Sequence, residues 1–566
     1  MTYRAPLKDY RFILGQVVGF DRVAATGMFA EAGPEMVEAI LGEAARLCEQ
    51  TLAPLNRAGD AHPARLENGV VRTSPGFAEG YRAIAEGGWI GMSASPEFGG
   101  MGLPITLTSC VGDMMGAACL SLQLNPLMTQ GQIEALEHHA SDAIKALYIP
   151  RLVSGEWCGT MNLTEPQAGS DVGALRTKAE PKGDGSYAIT GQKIYITWGD
   201  NDFTENVCHL VLARLPDGAE GTRGISLFIV PKVLPSADGT LGARNTLSVV
   251  SLEHKLGLHG SPTAVMQYDA ATGWLVGAPH KGMAAMFTMM NNARLGVGVQ
   301  GISVAERAYQ QALAYALARK QGRTPLGDGT IVDHADVRRM LGVMKAQVFA
   351  ARAIALSCAV AIDLARATGD AVWGARAALL TPINKAFGTE TGMEVAHLGV
   401  QVHGGMGFIE ETGAAQYCRD VRVTAIYEGT NGIQAMDLVG RKMADSGEAA
   451  FRLIDEMQAE AEIARTAHPD LSQEVWNAAE ALREATEALI GMAMNDRFAG
   501  AVPYQRAFAL VLAGHFHLKA AMADLERLPL ARIAIRRLMP DHAPLLGQLR
   551  DGAAGLYALT PEAMLA

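Results

Sequence analysis

The sequence predicts an α+β fold in four successive parts: helices, a sheet, a helical bundle and a further helical block. Three observations point there. Apolar residues recur at helical spacing on both sides of a central stretch. That stretch breaks into short β-rich runs split by Gly, Pro and Asp. And 566 residues exceed the usual size of one hydrophobic core, so two to four domains are expected. The predicted parts are an N-terminal helical domain (1–157), a middle antiparallel β-domain (158–281), a helical bundle (282–446) and a C-terminal helical extension (447–566).

In the first part, residues 36–52 are apolar at helical spacing and stop before Pro54, and 75–86 and 135–152 behave alike. A glycine-rich loop, 95–102, lies between them. In the second part, 187–197 alternates as a half-buried strand does, followed by shorter runs at 207–213, 225–230 and 263–268. Helical periodicity returns at Gly282 and runs through 305–320, 337–368 and 382–402. A polar joint, Asp445-Ser446-Gly447, precedes the last helical block. No internal repeat or low-complexity tail is visible.

Composition excludes several classes. Apolar residues make up 49% and aromatics 6%, which suits closely packed helices around a smaller sheet. A net charge of −11 argues against a general nucleic-acid or anionic-membrane surface. Seven cysteines are scattered without CxxC pairs, as expected for reduced thiols in a cytosol and for no zinc site. His403 has no metal partner at useful spacing, and His138 and His139 are adjacent, so no metal is expected. Residues 1–10 are charged with no long apolar run after them, so no secretory signal is expected. No uncharged apolar run reaches the length of a membrane span. The expectation is a cytoplasmic protein.

The chemistry concentrates in a few segments. Tyr427-Glu428-Gly429-Thr430-Asn431-Gly432 places a carboxylate on a turn beside a glycine, where a ligand meets little steric obstruction. Such a carboxylate, shielded from water, suits proton removal next to a carbonyl; it equally suits favouring the positive end of the next helix. The stretch 161–171 (MNLTEPQAGSD) offers amides and hydroxyls to a polar ring or phosphate, or is an ordinary loop with Asp171 as a cap. Tyr195 and Thr197 stand two apart on one strand face, fit to border a flat ligand or to pack on a neighbouring strand. Gly296-x-Gly298-x-x-Gly301 has the letters of a dinucleotide fingerprint but lies between helical flanks, so it reads as close helix packing. Arg294 interrupts that small-residue run and needs a partner, for which Glu428 is a candidate. Gln401-Val402-His403-Gly404-Gly405 ends a helix in an amide-rich turn that can hold a pyrophosphate or simply cap the helix.

Taken in order, LTEPQAGSD, GQKIYITWG, NNARLGVGVQG, YALARKQ, QVHGGMGF and YEGTNG resemble the acyl-CoA dehydrogenase family over about residues 35 to 445. The opening segment and the block after 446 are similar to a longer subgroup. The resemblance implies FAD between the β-domain and the helical bundle, with an acyl-CoA thioester against the flavin. Glu428 would remove the α-proton while a hydride leaves Cβ for flavin N5, giving a trans-2-enoyl-CoA. The thioester carbonyl would be held by the amide of the catalytic Glu and a ribityl hydroxyl of the flavin.

By the same resemblance Leu163 and Thr164 would touch the flavin ring, Thr197 would lie near N5, and Tyr195 stands where the family has Trp. Met161, Ser170, Asn291 and Gly429 would line the substrate side. Arg319, Gln401, Gly404 and Gly405 would bind the pyrophosphate and ADP half across a homodimer interface, completed by Thr430 and Asn431, with Arg294 orienting the catalytic region. Ala293 occupies the alternative base position of the family and cannot serve. The aromatic expected after Arg319 is Gly322, and the loop that follows looks enlarged. The implied function is dehydrogenation of a short acyl-CoA, such as 3-methylmercaptopropionyl- or butyryl-CoA, with an electron-transferring flavoprotein as acceptor. Two alternatives are an oxidase using oxygen and a non-catalytic DNA-binding relative. The extension carries 16 acidic against 11 basic residues from Ser446 onward, which disfavours the second.

Overall fold

The computed structural model describes residues 3–324 and 326–566, with every side chain except that of Asn291. Long helices dominate. Ile105–His139, kinked at Cys119, with Gly282–Ala318, Ala335–Thr368 and Ala371–His403, forms the centre of the molecule. Ile105–His139 and Ala335–Thr368 are long and apolar enough to cross a membrane by length and composition, yet 89% of each apolar window is buried inside the protein. They are core helices, apolar all round because other elements surround them.

The small-residue run settles how these helices approach. A Cβ on Gly301 would lie 2.2 Å from the Gly388 carbonyl oxygen, and one on Gly388 would lie 2.4 Å from that of Gly298. Gly298 and Gly301 therefore let Gly282–Ala318 and Ala371–His403 pack closely, while Gly296 faces Leu127 of Ile105–His139. The fingerprint reading is excluded by context, since all three glycines sit inside one helix. Pro382 lies within Ala371–His403, where the sequence predicts a helix start. The residues before it are helical as well. Residues 135–152, expected as one helix, break at Ala140 with ψ 159°, after which Ser141 caps a new helix, Asp142–Ser154.

The middle sheet has seven strands. Their order is Leu247–Leu252, Thr263–Val276, Tyr187–Thr197, Lys178–Pro181, Asn206–Arg214 and Trp157–Asn162; Ile225–Pro231 pairs with both Thr263–Val276 and Asn206–Arg214. Most pairings are antiparallel, as expected, but Trp157–Asn162 runs parallel to Asn206–Arg214. Parallel neighbours need a long crossover, and here the segment from Leu163 to Glu205 supplies it, carrying two strands of its own.

The extension packs on the bundle through Ala501–Ala523, which is buried along most of its length. The N-terminal segment is tied to both: Asp9 pairs with Lys345 of the bundle at 2.5 Å and Arg527 of the extension at 2.8 Å. The polar joint is a tight turn, with Ser446 and Gly447 at φ 61° and 77°.

Candidate active site

Glu428 sits at φ 55°, a left-handed backbone that costs a non-glycine residue energy and persists only where the surroundings impose it. The surroundings do so from both sides. Before it, the Tyr427 hydroxyl donates to Gln300 on Gly282–Ala318. After it, Gly429 continues at φ 82°, and the Thr430 hydroxyl accepts the Ile433 amide at 3.2 Å to cap the helix Asn431–Val439. Gln434, one turn in, donates back to the Glu428 carbonyl at 3.1 Å. The loop is thus held at three points, and the carboxylate is left without a hydrogen bond to any described residue.

Two cations face that carboxylate, Arg294 from Gly282–Ala318 and Lys385 from Ala371–His403. Burial pushes the Glu428 carboxyl up to about 7, and the two cations only partly pull it back. Burial likewise lowers Lys385 to about 8 against the pull of Glu428. Burial also lowers Arg294, against the pull of the Asp437 and Glu428 carboxylates. Its Nε is buried without a partner, as are Gln300 Nε2, Gln434 Oε1 and Asp437 Oδ2. These four unpartnered polar atoms near the Glu428 loop suit a polar ligand, because a buried polar atom is costly to leave unmade. A cavity lined by Asn292, Arg294, Asp437 and Lys442 opens beside two of these, Arg294 and Asp437; Glu428 is not among its lining residues.

The second group of predicted residues lies on the sheet. Lys193 is fully buried and bonds Glu165 at 2.8 Å and the Leu163 carbonyl at 3.0 Å. Glu165 in turn accepts from the Thr177 hydroxyl and amide and the Arg176 amide. This network fixes 163–165 from behind. The hydroxyls of Thr164 and Thr197 make no hydrogen bond to described residues.

Tyr195 departs from simple alternation. The register slips between Ala264 and Met266 opposite it, and Tyr195 takes φ 60°. The buried positions shift from Lys193 to Ile196, three apart. Such a bulge re-aims a side chain, and Tyr195 is left 60% exposed. Met161 is the one residue of Trp157–Asn162 that is not fully buried, and Ser170 is exposed in the turn beyond it.

Helix Ile105–His139 joins these two groups. The Ser121 carbonyl accepts from Trp198 Nε1 at 3.1 Å, and Thr129 accepts the Gly159 amide at 3.0 Å. On its other side Glu134 accepts from Asn292 at 2.6 Å, and a Cβ on Gly296 would meet Leu127 at 2.8 Å. The strands bearing Leu163, Thr164, Tyr195 and Thr197 and the helix bearing Arg294 therefore flank the same stretch, 121–134.

Arg319, Gln401, Gly404 and Gly405 form a third, separate group. Tyr315 stacks on His403 at 4.5 Å, which brings the ends of their two helices together. Gln401, Gly404 and Gly405 are exposed there, as is Arg319. Nothing lies within 4 Å of a Cβ built on either glycine, and Gly404 adopts φ 59°, ψ −140°, a conformation open essentially to glycine alone. From Gln300 to Arg319 is 19 residues of helix, roughly 28 Å at 1.5 Å per residue. The structure does not bring this group to the base of the same subunit.

Asn431, expected with the cofactor group, is bonded to side chains of the neighbouring helix Ala371–His403. Its Oδ1 accepts from Lys385 at 3.0 Å, and its Nδ2 donates to Thr389 at 3.1 Å. Thr430 is likewise used as a helix cap. Asn291 lies outside the described side chains. Sequence reasoning missed Lys385, Asp437 and Gln300; a lone Lys in the apolar run around Ile383 and Phe387 was the available signal for the first.

The free hydroxyls, the exposed Tyr195 and the open glycine turn fit FAD. Comparison with known proteins agrees. The acyl-CoA dehydrogenase N-terminal, middle and C-terminal domain models match residues 34–156, 160–271 and 280–444. A 3-methylmercaptopropionyl-CoA dehydrogenase of Ruegeria pomeroyi is 46% identical over 89% of this chain and 88% of its own length. Among solved structures, Caenorhabditis elegans ACDH-11 in complex with C11-CoA covers 96% of this chain and 92% of its own, at 20% identity and a TM-score of 0.80. A chain from the electron transferring flavoprotein of Acidaminococcus fermentans covers 72% of this chain and 97% of its own, at 25% identity and a TM-score of 0.61. The chain belongs to the acyl-CoA dehydrogenase family of FAD-dependent enzymes.

Proposed function

We propose that the chain dehydrogenates a short-chain acyl-CoA, 3-methylmercaptopropionyl-CoA first among them, with Glu428 as the base that removes the α-proton. The observation that carries this reading is the Glu428 carboxylate, free of hydrogen bonds to described residues and tuned to about 7. A carboxylate titrating there is a far stronger base than one at 4.5 and still deprotonated in good part near neutral pH. Arg294 and Lys385 keep it from rising further, and they stabilise the ionised form that the step requires. The Glu428 amide makes no hydrogen bond to described residues, and it suits the thioester carbonyl as negative charge develops. When bound, FAD supplies the two-electron oxidant. Leu163, Thr164, Tyr195 and Thr197 would line its ring, and Met161, Ser170 and Gly429 the substrate side; Asn291 stays with this group by sequence alone.

The short acyl group is supported by the Ruegeria relative, similar across nearly its whole length. Acceptance of electrons by an electron-transferring flavoprotein is supported by the resemblance to a chain of such an assembly. A homodimer is supported by the third group. Arg319, Gln401, Gly404 and Gly405 lie far from their own base, and the exposed Met406, Phe408 and Ile409 beside them offer an apolar face for a second copy. A cytoplasmic location accords with seven unpaired cysteines.

Glu428→Gln tests the role of the base. The variant keeps its yellow FAD, while anaerobic flavin bleaching by substrate falls by ~10³-fold or more; near wild-type bleaching would refute the assignment. A panel of acyl-CoAs tests chain length, and a clear preference for acyl groups of about twelve carbons or more would refute the short-chain reading.

A further inference from the structure

The C-terminal extension reaches the catalytic loop through one line of side chains. Arg506, on Ala501–Ala523, forks between two carboxylates of Ala371–His403: Nη1 to Glu390 at 2.6 Å and Nη2 to Glu394 at 2.5 Å. The other oxygen of Glu390 accepts from Asn431 Nδ2 at 3.4 Å. Asn431 Oδ1 accepts from Lys385 Nζ at 3.0 Å, and Lys385 is one of the two cations facing Glu428. Glu394 is completed by Gln347. The neighbouring Gln505 donates to the buried Pro382 carbonyl at 2.9 Å, one turn from Lys385. At the other end of the helix Asn431–Val439, Arg497 of the extension donates to the Val439 carbonyl at 3.4 Å. The helix that starts three residues after Glu428 is thus bonded directly by Arg497 at its end and linked to Arg506 at its start through Glu390.

We propose that Arg506 is a positioning residue for the α-proton abstraction, acting through Glu390, Asn431 and Lys385 on Glu428. The inference rests on Glu428 being the base. A guanidinium fork fixes two carboxylates in one plane and one orientation, which a point charge does not. With Glu390 fixed, Asn431 has one favoured amide orientation, donating to Glu390 and Thr389 and accepting from Lys385. Lys385 is then held within reach of Glu428. Without the fork, Glu390 is free to turn onto Lys385 itself and draw it from Glu428. The groups facing the base are Arg294 from Gly282–Ala318 and Lys385 from Ala371–His403, with Tyr427 from its own loop. Asp437 faces Arg294 and Glu390 faces Lys385. Loss of Lys385 from this set leaves Arg294 alone to hold the carboxylate down, so the base titrates at higher pH.

The test compares Arg506→Ala, Arg506→Lys and Glu390→Gln in the holoenzyme with a control, Arg376→Ala. The control breaks a different arginine fork between the same helix and the extension, Arg376 to Glu456, which has no link to Asn431. Stopped-flow flavin bleaching, exchange of the substrate α-proton with D₂O, and thermal unfolding are read for each. Arg506→Ala and Glu390→Gln are expected to slow bleaching and exchange about tenfold at pH 7, with substrate affinity within threefold. The acid limb of the rate profile moves upward by half a pH unit or more, and Arg506→Lys recovers part of the rate. Arg376→Ala lowers the unfolding temperature without either change. If Arg506→Ala and Glu390→Gln leave rate and limb as in wild type, or alter them no more than Arg376→Ala does, the inference is overturned. Glu428→Gln, run alongside, separates the cases: full activity there defeats the base assignment itself, whereas an inactive Glu428→Gln with an unaffected Arg506→Ala defeats only the brace.

Discussion

The middle of the helical bundle and its far end share the same two helices, Gly282–Ala318 and Ala371–His403, yet they are built in opposite ways. In the middle, Arg294, Gln300, Lys385 and Thr389 converge on 427–434 and fix the loop that carries Glu428. At the end, Arg319, Gln401, Gly404 and Gly405 face outward, and Phe408 is 85% exposed. One region is closed by the chain's own side chains, and the other leaves its polar and apolar groups exposed. The difference teaches that the buried surroundings of Glu428 and the exposed group at the helix ends answer to different perturbations. The first is a matter of internal electrostatics, the second of binding and assembly.

That contrast can be broken by substitution. Arg319→Ala is expected to weaken FAD binding by ~10- to 100-fold, the equivalent of losing one charged hydrogen bond. The unfolding temperature of the apoprotein should stay unchanged, because Arg319 is exposed. Titration of apoprotein with FAD and thermal unfolding without FAD check both halves, and a destabilised apoprotein with normal FAD affinity would reverse the contrast. Asn431→Ala should behave in the opposite way. It strips partners from Lys385, Thr389 and Glu390 and is expected to cost about 1–3 kcal/mol of apoprotein stability while FAD affinity holds within threefold. Lost FAD affinity with unchanged unfolding would return Asn431 to the cofactor.

A smaller effect sharpens the electrostatic half. Glu428 is raised from 4.5 to about 7 in the folded protein, so between those values the native state holds more of this proton than the unfolded chain. Stability contributed by this group is therefore lost as pH rises through that window. Glu428→Gln, which cannot ionise, should gain unfolding temperature relative to wild type at pH 8 and show no gain at pH 4.5. Equal differences at both pH values would mean that the site does not raise this carboxyl.

How much of this was legible in the sequence depends on the range of the interactions. The strand Tyr187–Thr197 was readable to the residue, because period-2 alternation is local. The close approach of the bundle helices was readable from Gly298 and Gly301, since only small residues tolerate it. The bulge at Tyr195 was not, because it arises from a register slip against a strand some seventy residues later. Nor was the parallel pairing of Trp157–Asn162, which depends on how a long crossover closes. At the site, Glu428 and Arg294 were found by motif. Lys385 lies 43 positions from Glu428, and nothing in a linear pattern reports that two such residues face each other. Thr430 and Asn431 show the limit most clearly. Their motif suggests a ligand, and the fold adds a helix cap and partners on a neighbouring helix that no linear pattern reports.

The central claim is that burial against two cations makes Glu428 a base poised near neutrality. The pH dependence of anaerobic flavin reduction by a saturating short acyl-CoA tests it most directly. The account predicts a rate that rises with pH through a single ionisation near 7 and then levels off. A rate that is flat from pH 5.5 to 8.5, or a limb near the ordinary carboxylate value of 4.5, would contradict it.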